Sequence, residues 1–294
     1  MIDELKNENI KFKEISEKEA LNYLKQNNNY YNICLYKNLF EKYYINGEYI
    51  NKYIDLDFAY LKDLAIIDFE LRLLLFNMIS DVEHYLKFRL LKLIGKQENK
   101  VMQMYLNSKR FKNIKNKFDT NISLNQLIDL IPFGKLVDFY EFVVKVLNLK
   151  DEKKYIIVLK EIVTLRNRVY HNDKILVNLN ENSNNYVSSF IVLEHLKKCD
   201  IDKDVRNFRI LNPMIRQLTC LLYIFNIFVT SNEVKDHVNK LLNDFMFERV
   251  VRNKKYFTNN ELLKQIYIYF EKIIIKEFAN GHWLAQRFVI ILIY

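Results

Sequence analysis

The sequence predicts an all-α fold, and three features carry that expectation. Apolar residues recur at helical spacing over long segments, above all between Leu64 and Ile94. The 294 residues include only four glycines and two prolines, too few for the turns of a sheet protein or the phosphate loops of a nucleotide-binding α/β fold. Neither GxGxxG nor GxxxxGK[ST] occurs in the chain. Half of the residues are hydrophobic and 14% are aromatic, which is enough to bury a core.

The first 55 residues read as short helices with an asparagine break. "SEKEALNYLKQNN" opens with a capping box from Ser16 to Glu19, and the aromatic "YYNICLYKNLFEKYY" is expected to pack on the long helix after it. In that helix Leu64, Ile67, Leu71, Leu74, Leu75, Met78, Val82, Leu86, Leu90 and Leu93 share the helical period. About 30 residues give a rod of ~45 Å. Asp68 with Arg72, and Glu83 with Lys87, have the spacing of ion pairs along it, and Gly95 ends it.

A polar stretch, Lys96 to Asn121, contains "KRFKNIKNKF". A turn is expected at Pro132–Gly134 with a helix after it. "DEKKYIIVLKEIVTLRNRVYH" is the next helix, with Ile156, Leu159, Ile162, Val163 and Arg166 on one face and Asn172 and Asp173 as its stop. An asparagine-rich loop at Asn178–Asn185 precedes a helix from Pro213 to Thr230, and a helical pair near 233–250 and 260–278 closes the chain. The tail "FVIILIY" has no assignment. There is no internal repeat and no clean linker. The expected organisation is an N-terminal helical arm (1–55), a helical core (56–232) and a C-terminal helical extension (233–294).

The formal charge is +9, which attracts polyanions such as RNA; a lysine- and asparagine-rich proteome would give the same surplus. Cys34, Cys199 and Cys220 are widely spaced and form no CxxC, so neither a zinc ribbon nor a disulfide framework is indicated, and a reducing cytoplasm fits. The charged N-terminus has no signal-peptide apolar region. The run Leu218–Val229 is shorter than the ~20 residues a bilayer crossing needs, so a buried helix and no membrane partner are expected.

The stretch "TLRNRVYHND" sets two arginines and a histidine at the end of an apolar helix. Cutting RNA without a metal needs a base for the 2′-hydroxyl, an acid for the leaving 5′-oxygen and a cation for the phosphorane. Histidine can be base or acid near neutral pH, and arginine grips phosphate through a planar fork. Positions i and i+5 are ~140° apart on an ideal helix, so Arg166 and His171 meet only if the helix loosens near Tyr170 or the arginine reaches around. The spacing by itself equally suits a helix C-terminus where Arg168 and His171 complement the dipole.

In this context "LRNRVYHND" resembles the R-[polar]-x3-H signature of HEPN ribonucleases. The surrounding chain resembles the Abi-like abortive-infection family, the AbiD/AbiF group of bacterial phage-defence proteins. "YLKQNNNYYNICLYKNLF" is similar to that family's N-terminal aromatic block, and "LAIIDFELRLLLFNMISDVEHYLKFRL" to its long helix. "LIPFGKLVDFYEF" is similar to its Pro-Phe-Gly turn, and "LRNRVYHN" stands in its catalytic place. The order holds over roughly residues 20–230; the last 60 residues carry no resemblance. The resemblance implies a HEPN-type helical bundle with terminal additions, working as a homodimer in which each copy gives an Arg and a His to a shared cleft. It implies Arg166 and His171 as catalytic residues and Asn167 as the polar residue that orients them. Phage-defence relatives further imply control by a cognate inhibitory or guide-like RNA.

Other residues are weighed from their chemistry. Arg168 is a candidate for a phosphate contact and Tyr170 for stacking on a base, against packing or a solvated tip. In "KRFKNIKNKF", Lys109, Arg110, Lys112, Lys115 and Lys117 form a basic side while Phe111, Ile114 and Phe118 share an apolar one; RNA binding and a plain solvated face both fit. "RVVRNKKYF", Arg249 to Phe257, poses the same question. Asp68 and Glu83 are ~22 Å apart on one helix, too far for a shared metal, so Asp68, Arg72, Glu83 and Arg89 read as structural. His84, His195, His237 and His282 have no partner at ligand spacing, and no metal or cofactor is expected. Two hypotheses remain. One is a metal-independent endoribonuclease acting as a phage-defence toxin; the other is a non-catalytic RNA-binding or protein-docking helical module.

Overall fold

The computed structural model describes residues 1–27, 30–112, 122–183 and 189–278. The N-terminal arm holds α1 (Ile2–Asn7), α2 (Glu17–Gln26), α3 (Tyr30–Cys34) and a 3-10 turn at Leu35–Leu39. The capping box that opens α2 is present in full: Ser16 accepts from the Glu19 amide and Glu19 accepts from the Ser16 amide. The arm is not wholly helical. Strands β1 (Lys42–Ile45) and β2 (Glu48–Tyr53) pair antiparallel, with Tyr44 opposite Tyr49 and Ile45 opposite Glu48. Asn46 and Gly47 both take positive φ, 53° and 89°, as a tight two-residue hairpin turn requires. The expectation of helices throughout residues 1–55 fails here because "YYI-NG-EYI" is a hairpin signal that outweighs the helical neighbourhood. This hairpin is the one sheet among the described residues, and the all-α class stands.

Helix α4 (Phe58–Ile94) has 37 residues, or about 55 Å. Asp57 caps it by accepting from the Ala59 amide, and Gly95, at φ 46°, stops it. Then come α5 (Glu98–Leu106), α6 (Lys109–Lys112), α7 (Leu124–Leu130), α8 (Phe133–Val146) and α9 (Tyr155–Tyr170). Pro132 is the N-cap of α8, so the break is confined to Ile131–Pro132 and the helix starts at Phe133 rather than after Gly134. Gly134 lies in the first turn of α8 and faces Val163 of α9; an added Cβ would stand 3.4 Å from Val163 Cγ1, an ordinary contact. The chain continues through α10 (Phe190–Lys198), α11 (Lys203–Arg209), α12 (Pro213–Phe228), α13 (Asn232–Asp244), a π turn at Phe245–Arg249 and α14 (Glu261–Phe278).

Helices α4, α8, α9 and α12 form the bundle at the centre, with α12 packed against both α9 and α4. One buried cluster runs from Leu5 to Phe278, so arm, core and C-terminal helices share it. Polar ties reinforce this: Arg249 reaches Asp63 (3.0 Å) and Glu70 (2.7 Å) of α4, and Asn260 donates to the Leu39 carbonyl (2.8 Å). The apolar run in α12 is buried as expected, and among the described residues no single helix is long and apolar enough to cross a membrane. Lys87 sits 3.6 Å from Asp129 of α7, a tertiary contact in place of the expected turn-to-turn pair with Glu83.

Candidate functional site

Helix α9 stays α-helical to its end. The His171 amide donates to Asn167 O (3.0 Å), then Asn172 donates to Val169 O (3.2 Å) and Asp173 to Arg168 O (3.0 Å), with Asn172 at φ 58°. This 6→1 and 5→2 pair is the Schellman closure, and Asn is the residue other than glycine that best accepts the left-handed position. The helix therefore does not loosen near Tyr170. Only the arginine's reach can bring Arg166 level with His171.

The chain beyond the helix is pinned from α4. Asp68 Oδ1 accepts from the amides of Ile175 (2.7 Å) and Leu176 (2.6 Å). Arg72 donates through Nη1 to the carbonyls of Asn172 (2.7 Å) and Asp173 (3.4 Å). Arg72 Nε also lies 3.7 Å from Asp68, so the expected pair exists, but its main use is to hold backbone on both sides of the turn. Burial pushes the Asp68 carboxyl above its usual range, against the pull of the two amides and of Arg72. Hydrogen bonds to charged groups are each worth ~1.5–3 kcal/mol, so residues 172–176 are held firmly for a loop. Ile175 is fully buried, which anchors the loop in the core.

The side chains of the cluster separate by face. Leu165 and Val169 face the core, Arg166 and Arg168 are half-buried, and Asn167, Tyr170 and His171 are exposed. The Arg166 guanidinium lies over the Tyr170 ring, 3.9 Å from its centroid, and Tyr170 in turn rests on Phe76 of α4 at 4.9 Å. The stack joins the arginine to the residue one turn along the helix, the neighbour of His171 in the chain. Arg166 Nε is buried with no hydrogen-bond partner. Among the described residues, the side chains of Arg166, Asn167, Arg168 and His171 make no hydrogen bond or ion pair. Lys174 adds a further cation, its ammonium pushed down by burial and by Arg72. Sequence reasoning passed over both Lys174 and Phe76. The result is an open cationic surface with one imidazole and, among the described residues, no carboxylate tying down its guanidinium, which suits a polyanion with a transferable proton.

The other candidates lie elsewhere. Lys109 is exposed on α6. Arg110 is engaged by α8, donating to Asp138 O (2.6 Å) and lying 3.6 Å from Glu141, so it is not part of a free basic face. Phe111 is buried against Tyr105, as its apolar side predicts. The side chain of Lys112 and all of Lys115 and Lys117 lie outside the described residues, as does His282. In "RVVRNKKYF", Arg249 is buried between Asp63 and Glu70, and Lys255 pairs with Glu14 at 2.8 Å. Arg89 forms a fork to Glu152 (2.7 and 2.6 Å), which also accepts from Tyr140 (2.7 Å), so its structural reading holds. The expectation for His195 does not hold. Cys199 stands four residues after it and Glu277 comes in from α14, and the three ligand-type atoms lie within 4.8 Å of one another.

Residues 22–129 match the family model of Abi-like proteins. The match takes in the hairpin and all of α4, including Asp68, Arg72 and Phe76, and ends before α8 and α9. No curated protein and no solved structure matches the chain.

Proposed function

We propose that this chain is a metal-independent endoribonuclease of the HEPN type that acts in bacterial phage defence by abortive infection. The observation that carries the reading is the end of α9: an arginine held by an aromatic ring with its donors uncommitted, and an exposed histidine at the helix C-cap, directly before a loop fixed by two buried charges. The family match supports the defence context, because the matched segment supplies the α4 residues that fix that loop.

In the reaction, one imidazole removes the proton of the RNA 2′-hydroxyl. The 2′-oxygen attacks phosphorus, and the bond to the 5′-oxygen breaks. A second, protonated imidazole gives its proton to that oxygen, leaving a 2′,3′-cyclic phosphate and a 5′-hydroxyl. The two guanidiniums stabilise the charge that builds on the non-bridging oxygens. One chain supplies one such histidine, so two copies complete the site. Beside the cluster, Phe69, Leu73 and Phe76 leave an apolar strip of α4 exposed (53%, 53% and 44%), a surface that a second copy would cover. Asn167, exposed next to Arg166, orients the pair. Arg168 and Lys174 bind flanking phosphates, and a cognate structured RNA that occupies the same cationic surface holds the toxin silent.

The test uses purified protein and total RNA in excess chelator, with cut ends mapped. Cleavage with cyclic phosphate ends is the expected result. Loss of all cutting in chelator while circular dichroism reports an intact fold, or ends carrying 5′-phosphate, would contradict it.

A further inference from the structure

The side chains that gather at the far edge of α12 were not anticipated from sequence. His195 is on the last turn of α10, Cys199 is its C-cap, and Glu277 is in the last turn of α14. His195 and Cys199 are buried, at 6% and 2% exposure, and Glu277 is mostly so. His195 Nδ1 is 3.3 Å from Glu277 Oε1, and Cys199 Sγ is 3.9 Å from the same oxygen. A tetrahedral zinc ion with bonds of ~2.0–2.1 Å to N and O and ~2.3 Å to S sets its ligands about 3.3 Å (N to O) and about 3.6 Å (S to O) apart. The two distances to Glu277 match those of ligands around such an ion after a small closure of the thiol, and the thiol and the imidazole lie within 4.8 Å of each other.

The second oxygen of Glu277 accepts from Asn226 Nδ2 of α12, which fixes the carboxylate as an outer-shell partner does. Tyr223 of α12 packs on the imidazole, with ring centroids 4.8 Å apart. The far nitrogen, His195 Nε2, is buried and has no protein partner. Beside the three residues opens a cavity of about 430 Å³ lined by Phe190, His195, Tyr223, Asn226 and Glu277, which gives an ion and a fourth, water ligand a way in. Nearby charges do not decide the matter. Lys198 and Lys276 oppose a cation, but Lys276 lies 3.5 Å from Asp200, and one thiolate with one carboxylate balances a divalent ion.

We infer that His195, Cys199 and Glu277 form a binding site for a borderline transition ion of the Zn²⁺ class, open at its fourth position to water, which ties α10 to α14 beside α12. The nitrogen–sulfur–oxygen set excludes Mg²⁺ and Ca²⁺, which take oxygen shells. Burial pushes the Cys199 thiol up to about 12, so the ion must displace its proton to water as the metal–sulfur bond forms. The site shares no residue with the Arg166–His171 cluster and does not rest on the ribonuclease reading.

The test is a titration of the metal-free full chain with Co²⁺, followed by visible and near-ultraviolet absorption. The expected result is one equivalent bound, with d–d bands of tetrahedral intensity and a thiolate-to-cobalt charge-transfer band. That band is lost in Cys199→Ser and kept in Cys34→Ser. In the wild type, Zn²⁺ should also raise the thermal midpoint while Mg²⁺ leaves it unchanged, a readout that stands even if Cys199→Ser does not fold. Absence of the charge-transfer band from the wild type, its survival in Cys199→Ser, or a midpoint indifferent to Zn²⁺ would overturn the site.

Discussion

Beside the two ends of α9, similar residues are put to opposite use. At its start, Arg89 of α4 meets Glu152 in a two-bond fork, Tyr140 donates to the same carboxylate, and the guanidinium lies 4.5 Å from the Phe228 ring centroid. At its close, Arg166 lies over the face of Tyr170, and among the described residues neither its side chain nor that of His171 has a hydrogen-bond or ion-pair partner. Both arginines stack on aromatic rings, and among the described residues only Arg89 has a carboxylate. A charge whose bonds are all made within the protein holds the fold together. One with its bonds left open, on a backbone fixed by others, is available to a ligand.

Exchanging the roles should separate activity from stability. Arg166→Ala is expected to lower RNA cleavage by about 10²–10³-fold, the scale of losing one donor to the transition-state charge, while the thermal midpoint barely moves. Arg89→Ala should do the reverse, costing about 2–3 kcal/mol of stability because it strips a largely buried carboxylate of its fork. Chemical denaturation and a cleavage assay on both variants check this. A large stability loss in Arg166→Ala would erase the contrast.

Asp68→Ala tests whether the open end depends on its anchor. It leaves two amides of residues 175 and 176 without an acceptor, at ~1–3 kcal/mol each, and should lower stability and cleavage together. Asp68→Asn, which keeps one acceptor, should restore part of both.

Acid should weaken the closed end first. Burial works against the ionised Glu152, but the bonds from Arg89 and Tyr140 outweigh it and hold its pKa below the usual 4.5. Its contribution is therefore whole above about pH 4.5, where the unfolded carboxyl is also ionised, and is lost as pH falls through the lower folded value. The stability gap between wild type and Glu152→Gln should stay flat from pH 7 to about pH 5 and shrink below about pH 4.5. The smallest effect concerns the turn itself. Asn172→Ala places an ordinary residue at positive φ and should cost ~1 kcal/mol, while Asn172→Gly should be near neutral in denaturant melts.

How much of the molecule is legible in the sequence depends on how local each signal is. Helices α4, α9 and α12 announce themselves by period, and the first two also by their stops, Gly95 and Asn172. The hairpin is written just as locally, in Asn46-Gly47 between aromatic and branched residues, but the aromatic block around it also fits a helix. At the candidate site, the residue types and the helix end are legible. The Tyr170–Phe76 shelf and the Asp68–Arg72 anchor are not, because they join positions about a hundred residues apart. Glu277 meets His195 for the same reason, through the packing of α14, although the four-residue step from His195 to Cys199 is in plain view.

The most direct test compares wild type with His171→Ala, both in excess chelator, measuring cleavage of one RNA and thermal unfolding on the same samples. A catalytic imidazole at this position requires a fall of at least about a hundredfold in cleavage with the midpoint unchanged. Cleavage at the wild-type rate in the variant would contradict that role.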